Sequence, residues 1–90
     1  MHINESDAFA QFMALPVKVN LLLNMTYTHE ANKCYLAAIN KCMAAKELAT
    51  EICNSPMIDR YGLDYLKVEM SNMIFTTNRE LKRLQRLIVL

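Results

Sequence analysis

The sequence has few of the residues that end regular structure. It contains one Gly and two Pro among 90 residues, and no Trp. A β-sandwich or β-barrel of this length needs more turn residues, so these all-β classes are excluded. Hydrophobic residues make up 53% of the chain and charged residues 21%, a balance that argues against intrinsic disorder. The composition predicts a single all-α domain over residues 1–90.

No strong charge and no long apolar segment marks the chain for a particular compartment. Ten Lys and Arg against nine Asp and Glu leave a net charge of +1, so no global field attracts nucleic acid or a membrane surface. The apolar run at 19–25 contains two Asn and is shorter than the roughly 20 residues that span a bilayer. The first residues lack the basic start of a signal peptide. We therefore expect a cytoplasmic protein without a membrane partner.

The sequence also lacks the usual motifs of catalytic and metal sites. It has no His-Glu-x-x-His, no Cys-x-x-Cys and no glycine-rich phosphate loop. Cys34, Cys42 and Cys53 are read as small hydrophobic residues in a reducing compartment. His29 and Cys34 would lie about 140° apart around one helix, which is unsuited to a nucleophile and its base. No enzymatic activity, metal or cofactor is expected.

Short helices are predicted in the N-terminal third. Ser6 is the expected cap of the first, which Pro16 ends or separates from the next segment. Residues 17–25 are predicted to form a second short helix, with a strand as the alternative because Val17 and Val19 alternate with polar residues. Residues 26–29 are predicted to be a junction that precedes a longer helix.

The most regular pattern predicts a long helix over about residues 29–53. Apolar residues recur at alternating spacings of four and three, as in a heptad repeat. Because most are small, a neighbouring helix can approach closely, and this small-residue stripe is a predicted surface for self-association. Its members are Ala31, Tyr35, Ala38, Cys42, Ala45, Ala49 and Ile52.

A second stripe follows a short break at residues 54–56. Ser55 and Pro56 suit a helix cap and first turn, so residues 56–61 are predicted to be a helical turn before Gly62. Residues 62–89 are predicted to be one long helix or two with a kink, since the stripe is offset by one residue after Thr77. The two long segments predict an antiparallel helical hairpin, with the short N-terminal helices folded against it. Such a hairpin exposes apolar surface, so a homo-oligomer is expected.

Two sets of residues are candidates for ligand binding. The cations Arg79, Lys82, Arg83 and Arg86 recur at helical spacing, which suits phosphate binding or a solvated helix face. Tyr27 and Thr28 lie where the core pattern does not require them. An aromatic ring and a hydroxyl beside a helix N-terminus suit a nucleobase and its phosphate, whereas a hydrophobic contact across the junction is the alternative.

A broad pattern is formed by Thr26-Tyr27, by Ala45-Lys46-Glu47-Leu48-Ala49, and by Pro56, Arg60, Leu63, Glu69 and Met73. In this pattern the chain resembles the helical hairpin domain of phage proteins that sequester cyclic-oligonucleotide alarm signals, the anti-CBASS and anti-Thoeris sponges. The resemblance covers about residues 25–78. It implies an all-helical oligomer that binds cyclic di- or trinucleotides between protomers without cleaving them. It also implies Lys46 and Arg60 as phosphate ligands beside Tyr27 and Thr28.

The sequence thus leads to one functional hypothesis and two rivals. The first is a phage counter-defence protein in the host cytoplasm that traps a cyclic oligonucleotide. One rival is a regulatory module that binds a protein partner through an exposed helix face. The other, less expected, is a nucleic-acid binder that uses the basic residues near the C-terminus.

Overall fold

A computed structural model describes residues 4–89 and contains four helices. They are α1 (Glu5–Ala31), α2 (Tyr35–Cys53), α3 (Pro56–Arg60) and α4 (Asp64–Val89). No strand is present in the described part of the chain, so the all-α prediction is confirmed. The long helices α1 and α4 both pack against α2.

Helix α1 is one continuous helix, so the prediction of short N-terminal helices is wrong. Pro16 lies inside it. A proline within a helix removes one backbone hydrogen bond, and here burial of Phe12, Pro16 and Val19 on the same face offsets that loss. The cap is Asn4 rather than Ser6, because the Asn4 side chain accepts a hydrogen bond of 2.8 Å from the Asp7 backbone N–H.

The predicted junction at residues 26–29 is also helical. The Thr26 hydroxyl donates to the Leu22 carbonyl at 2.9 Å, and the Thr28 hydroxyl donates to the Asn24 carbonyl at 3.1 Å. Both threonines therefore bond back to the preceding turn instead of capping a new helix. The break comes later, at residues 32–34, where Lys33 adopts a φ of 60°. The second helix therefore begins at Tyr35 and not near residue 29.

The small-residue stripe from Ala38 onward lies on α2 and is the interior of the protomer, whereas its first member, Ala31, is exposed at the end of α1. Ala38, Cys42, Ala45, Ala49 and Ile52 have no exposed surface. The prediction that this stripe mediates self-association is therefore wrong, because α1 and α4 of the same chain already cover it. Small side chains let both helices approach α2 closely, and larger residues on α1 and α4 fill the remaining space.

Two long-range contacts define the direction of α4 relative to α2. The Cys42 thiol donates to the Thr77 carbonyl at 3.5 Å, and the Cys53 thiol donates to the Lys67 carbonyl at 3.6 Å. Residues further along α2 thus contact residues earlier in α4. Helix α4 continues without interruption through the one-residue offset of its stripe, where the Thr77 hydroxyl donates to the Ile74 carbonyl at 2.9 Å.

The turn between α2 and α4 follows the sequence prediction. The Ser55 side chain accepts a hydrogen bond of 3.2 Å from the Met57 backbone N–H, and Pro56 occupies the first turn of α3. Gly62 has a φ of 62°, a left-handed conformation that glycine adopts without strain. Ile58 of α3 is buried and closes the end of the core.

The fold is elongated and exposes much apolar surface. Its radius of gyration is 15.0 Å, whereas a compact 90-residue domain has about 12 Å. Its accessible surface is 6129 Å², whereas about 5,400 Å² is usual for a monomer of this mass. Helix α1 also has the length and composition of a membrane-crossing helix, with a best-window mean hydropathy of 1.2. A core helix of a soluble protein and a signal sequence meet the same criteria, and 17% of this window is buried. The cytoplasmic location stays a prediction.

Candidate functional site

The structure places the four predicted ligand-binding residues in different surroundings. Tyr27 is 41% exposed, and Thr28 is exposed beside it near the end of α1. Lys46 is half-buried on α2, one turn after Cys42. Arg60 lies at the end of α3 and forms an ion pair with Glu5, while its guanidinium lies 5.8 Å from the centroid of the Tyr61 ring.

Arg60 and Tyr27 are not brought together within one protomer. The ion pair places Arg60 beside Glu5 at the start of α1, and Tyr27 lies near the opposite end of the same helix. At 1.5 Å per residue, Glu5 and Tyr27 are about 33 Å apart along the helix axis. One protomer therefore does not join all four residues in a single pocket.

The charged side chains that act on the Tyr27 hydroxyl belong to α4. Burial, followed by the charge of Glu80, raises the pKa of the Tyr27 hydroxyl above its usual value, while Arg83 acts in the opposite direction. The sequence patterns do not indicate this pairing of the ends of α1 and α4. It follows from α1 continuing through residues 26–29.

Arg83 is the centre of an ion network and not a free phosphate ligand. Its guanidinium donates to the Glu30 carboxylate, with one N–H···O distance of 2.7 Å, and to Glu80 from Nε at 3.0 Å. Glu80 is only 7% exposed, and Arg79 lies on its other side at 3.6 Å. Glu30 and Glu80 thus balance the charges of Arg79 and Arg83 beside Tyr27, which makes this end of the fold a poor site for a phosphate.

The network predicts an acid-sensitive contribution to stability. Hydrogen bonds from Arg83 lower the pKa of Glu30 below its usual value of 4.5. A carboxylate whose pKa is lowered by folding stabilises the fold above its unfolded pKa, and this contribution disappears as pH falls through the folded value. We expect the difference in unfolding free energy between wild type and Glu30→Gln to be largest at neutral pH and to vanish in acid. Urea titrations between about pH 7 and about pH 3 measure it, and the exposed Glu69→Gln is the matched control.

If the unfolding free energies of wild type and Glu30→Gln differed by the same amount at every pH, the role assigned to the Glu30 carboxylate would be contradicted. An equally large, pH-dependent difference in unfolding free energy for Glu69→Gln would also contradict it, because Glu69 lies outside the network. The comparison is confined to the pH range in which both variants are folded at zero urea.

The three cysteines differ in their surroundings, and none of them pairs with another. Burial raises the pKa of Cys42 to about 11, so this thiol is neutral at physiological pH. Cys34 is exposed at the start of α2, and Cys53 is half-buried. Within residues 4–89, no group of three His, Cys, Asp or Glu side chains is placed to hold a metal ion.

The most distinctive surface is one that was not predicted from the sequence. One side of α4 carries exposed residues at alternating spacings of three and four, and we call this set the α4 outer face. Its first half is apolar except for one Asn, and its second half is basic. Its members are Tyr65, Val68, Asn72, Phe75, Arg79, Lys82 and Arg86.

Phe75 lies at the middle of the α4 outer face and is 69% exposed. Val68 is 62% exposed and Tyr65 is 59% exposed. Exposed apolar side chains that cluster and are bordered by polar residues mark interaction sites in soluble proteins. The signal was present in the sequence as a second heptad-spaced set on the side of α4 opposite the buried stripe.

Comparison of the chain with protein families, with curated proteins and with solved structures finds no match. The physical properties of the surfaces are therefore the basis for a functional assignment.

Proposed function

We propose that this protein acts by binding and not by catalysis, as a helical module that presents the α4 outer face to a helix of another polypeptide chain. The observation that carries the proposal is the exposure of Phe75 between apolar and basic halves of one heptad-spaced face. A 3–4 spacing is the pattern by which one helix packs along another. In this arrangement α2 and α4 form an antiparallel hairpin, and α1 packs against it.

The charge of the face defines the chemistry of the partner helix. Arg79, Lys82 and Arg86 are exposed, and only Arg79 has a carboxylate within ion-pair distance among the described residues. The complementary helix has apolar residues along one half and Asp or Glu along the other. Aromatic anchors such as Phe75 contribute most of the binding energy in such contacts, while rim charges set orientation and specificity.

A designed pair of labelled peptides tests the proposal. Both are amphipathic helices with Leu at heptad positions in the first half, and the second half carries Glu in one and Lys in the other. We expect the wild-type chain to bind the acidic peptide at least about tenfold more tightly than the basic one. Phe75→Ser should weaken binding of the acidic peptide by roughly ten- to a hundredfold, because a buried aromatic anchor is lost. Fluorescence anisotropy measures both affinities.

Val17→Ser is the matched control, because Val17 is also 69% exposed but lies on α1. Equal weakening in Val17→Ser and Phe75→Ser would contradict the proposal, and so would unchanged binding in Phe75→Ser. Tight, salt-sensitive binding of a DNA duplex in place of the acidic peptide would favour the nucleic-acid alternative instead.

Sequestration of a cyclic oligonucleotide stays a prediction, and it has an independent test. A phosphate beside Tyr27 has to compete with Glu30 and Glu80 for Arg83. Calorimetry with cyclic di- and trinucleotides therefore separates the two hypotheses. Binding heat that Tyr27→Ala removes would support sequestration, whereas binding of the acidic peptide that Tyr27→Ala leaves unchanged supports the α4 outer face.

A further inference from the structure

A second exposed stripe runs along α2, on the side away from its buried residues. We call this set the α2 outer face, and its members are Leu36, Asn40, Met43, Glu47 and Glu51. Leu36 is 70% exposed and Met43 is 45% exposed. The α2 outer face therefore begins apolar, apart from one Asn, and ends acidic.

The α2 and α4 outer faces match in spacing and in chemistry. Residues 36, 40, 43 and 47 are separated by four, three and four positions, as are residues 68, 72, 75 and 79. At this register Leu36 faces Val68 and Met43 faces Phe75. Asn40 faces Asn72, and Glu47 faces Arg79. An Asn within an otherwise apolar stripe specifies the register of paired helices, since a shift leaves its amide against apolar side chains. The helix that the α4 outer face requires is thus present in the same sequence.

We propose that the partner of the α4 outer face is the α2 outer face of a second copy of this chain, docked in parallel. Leu36 packs on Val68 and Met43 packs on Phe75. Glu47 pairs with Arg79 at the polar end. This inference rests on the proposed function, since it names the occupant of the face on which that function depends. The match of apolar and charged positions selects this pairing.

Other pairings of the two faces are disfavoured by charge. Two α2 outer faces in parallel bring Glu47 and Glu51 against their own copies, and two α4 outer faces in parallel bring Arg79 and Lys82 together. Docking α2 on α4 in the antiparallel sense places the acidic residues against apolar ones and leaves the basic residues against Leu36. Like charges and buried unpaired charges are the means by which helical interfaces reject wrong partners.

Parallel docking of α2 on α4 defines how two copies are oriented relative to each other. Within one chain α4 runs opposite to α2, so a copy whose α4 lies parallel to α2 of its neighbour is turned end over end. A half-turn of this kind pairs both faces of two copies at once when the copies are related by a two-fold axis, and it adds copies in a row when they are also displaced along that axis. In both cases we expect the average mass to rise above that of the monomer with concentration.

Charge reversal on either face tests the inference. One variant is Glu47→Lys/Glu51→Lys and the other is Arg79→Glu/Lys82→Glu, and all four positions are exposed. Sedimentation velocity is expected to show concentration-dependent association of the wild type. Each variant alone should require about tenfold or more higher concentration for the same association, because its two faces now carry the same charge. An equimolar mixture should recover association, since each reversed face then meets its complement on the other variant.

Lys67→Glu/Glu69→Lys is the matched control, because it reverses two exposed charges of α4 outside the α4 outer face and should associate like the wild type. A monomeric wild type would overturn the inference, as would a mixture that associates no better than its components. Binding of the acidic peptide by a chain that stays monomeric would overturn this inference and leave the proposed function standing. Failure of both experiments would overturn both.

Discussion

Ala45→Glu is expected to unfold the protein or to leave it only marginally stable. Ala45 has no exposed surface and lies in the core cluster with Val19 and Ile52. A carboxylate at this position would be buried between closely packed helices without a partner. The expected loss is about 3–5 kcal/mol, a large part of the roughly 5–15 kcal/mol that stabilises a small domain. Thermal unfolding followed by circular dichroism measures the effect.

Ala14→Glu is the control for this substitution. It makes the same chemical change in a helix, but at an exposed position of α1. Its expected effect is within about 0.5 kcal/mol of the wild type. If Ala45→Glu were as stable as Ala14→Glu, the packing of α1 and α4 over the small-residue stripe would be wrong, and that stripe would be exposed in solution.

Arg83→Met is expected to cost about 2–4 kcal/mol, the second-largest effect among these substitutions. The methionine keeps an unbranched side chain but removes the hydrogen bonds to Glu30 and Glu80. Glu80 then remains buried, with Arg79 at 3.6 Å as its nearest cation. The buried carboxylate, left with only its longer contact to Arg79, accounts for most of the cost. Urea unfolding at neutral pH gives the change in free energy.

Two further variants separate this explanation from a general effect of removing a cation. Arg79→Met removes an exposed arginine of the same helix and should cost less than about 1 kcal/mol. Glu80→Leu/Arg83→Met removes the buried carboxylate together with its partner and should recover a large part of the stability. A double variant as unstable as the sum of its single changes would contradict the network.

The helical content and the core of α2 and α4 followed from periodicity. The stripe of α2 from Ala38 to Ile52 is buried, as are Leu66, Met70 and Leu84 of α4. These residues repeat over several turns, so the pattern averages out local exceptions. Residues that usually end a helix were less reliable guides to helix boundaries, because tertiary packing can outweigh their local preference. Pro16 and Thr26 are poor helix residues, yet both lie within α1, because their side chains are buried against the rest of the fold.

The candidate sites were harder to derive, since they depend on contacts between distant segments. Tyr27 lies within the influence of the Arg83 charge because α1 continues to Ala31, which its sequence does not indicate. The basic repeat likewise does not indicate that Arg83 forms ion pairs with Glu30 and Glu80. By contrast, the α4 outer face is visible in the sequence once α4 is known to be one helix. The exposed apolar residues of its first half, from Tyr65 to Phe75, then have no counterpart within the described protomer to cover them.

Photocrosslinking from position 75 tests most directly whether the α4 outer face binds a second copy of the chain. A photoreactive benzoylphenylalanine in place of Phe75 keeps an aromatic side chain at the centre of the face. On irradiation at micromolar concentration, the account predicts a covalent dimer whose crosslink maps to α2 of the second copy, near Met43. Irradiation that yields only monomer, or crosslinks that map to the outer side of α1 instead, would contradict it.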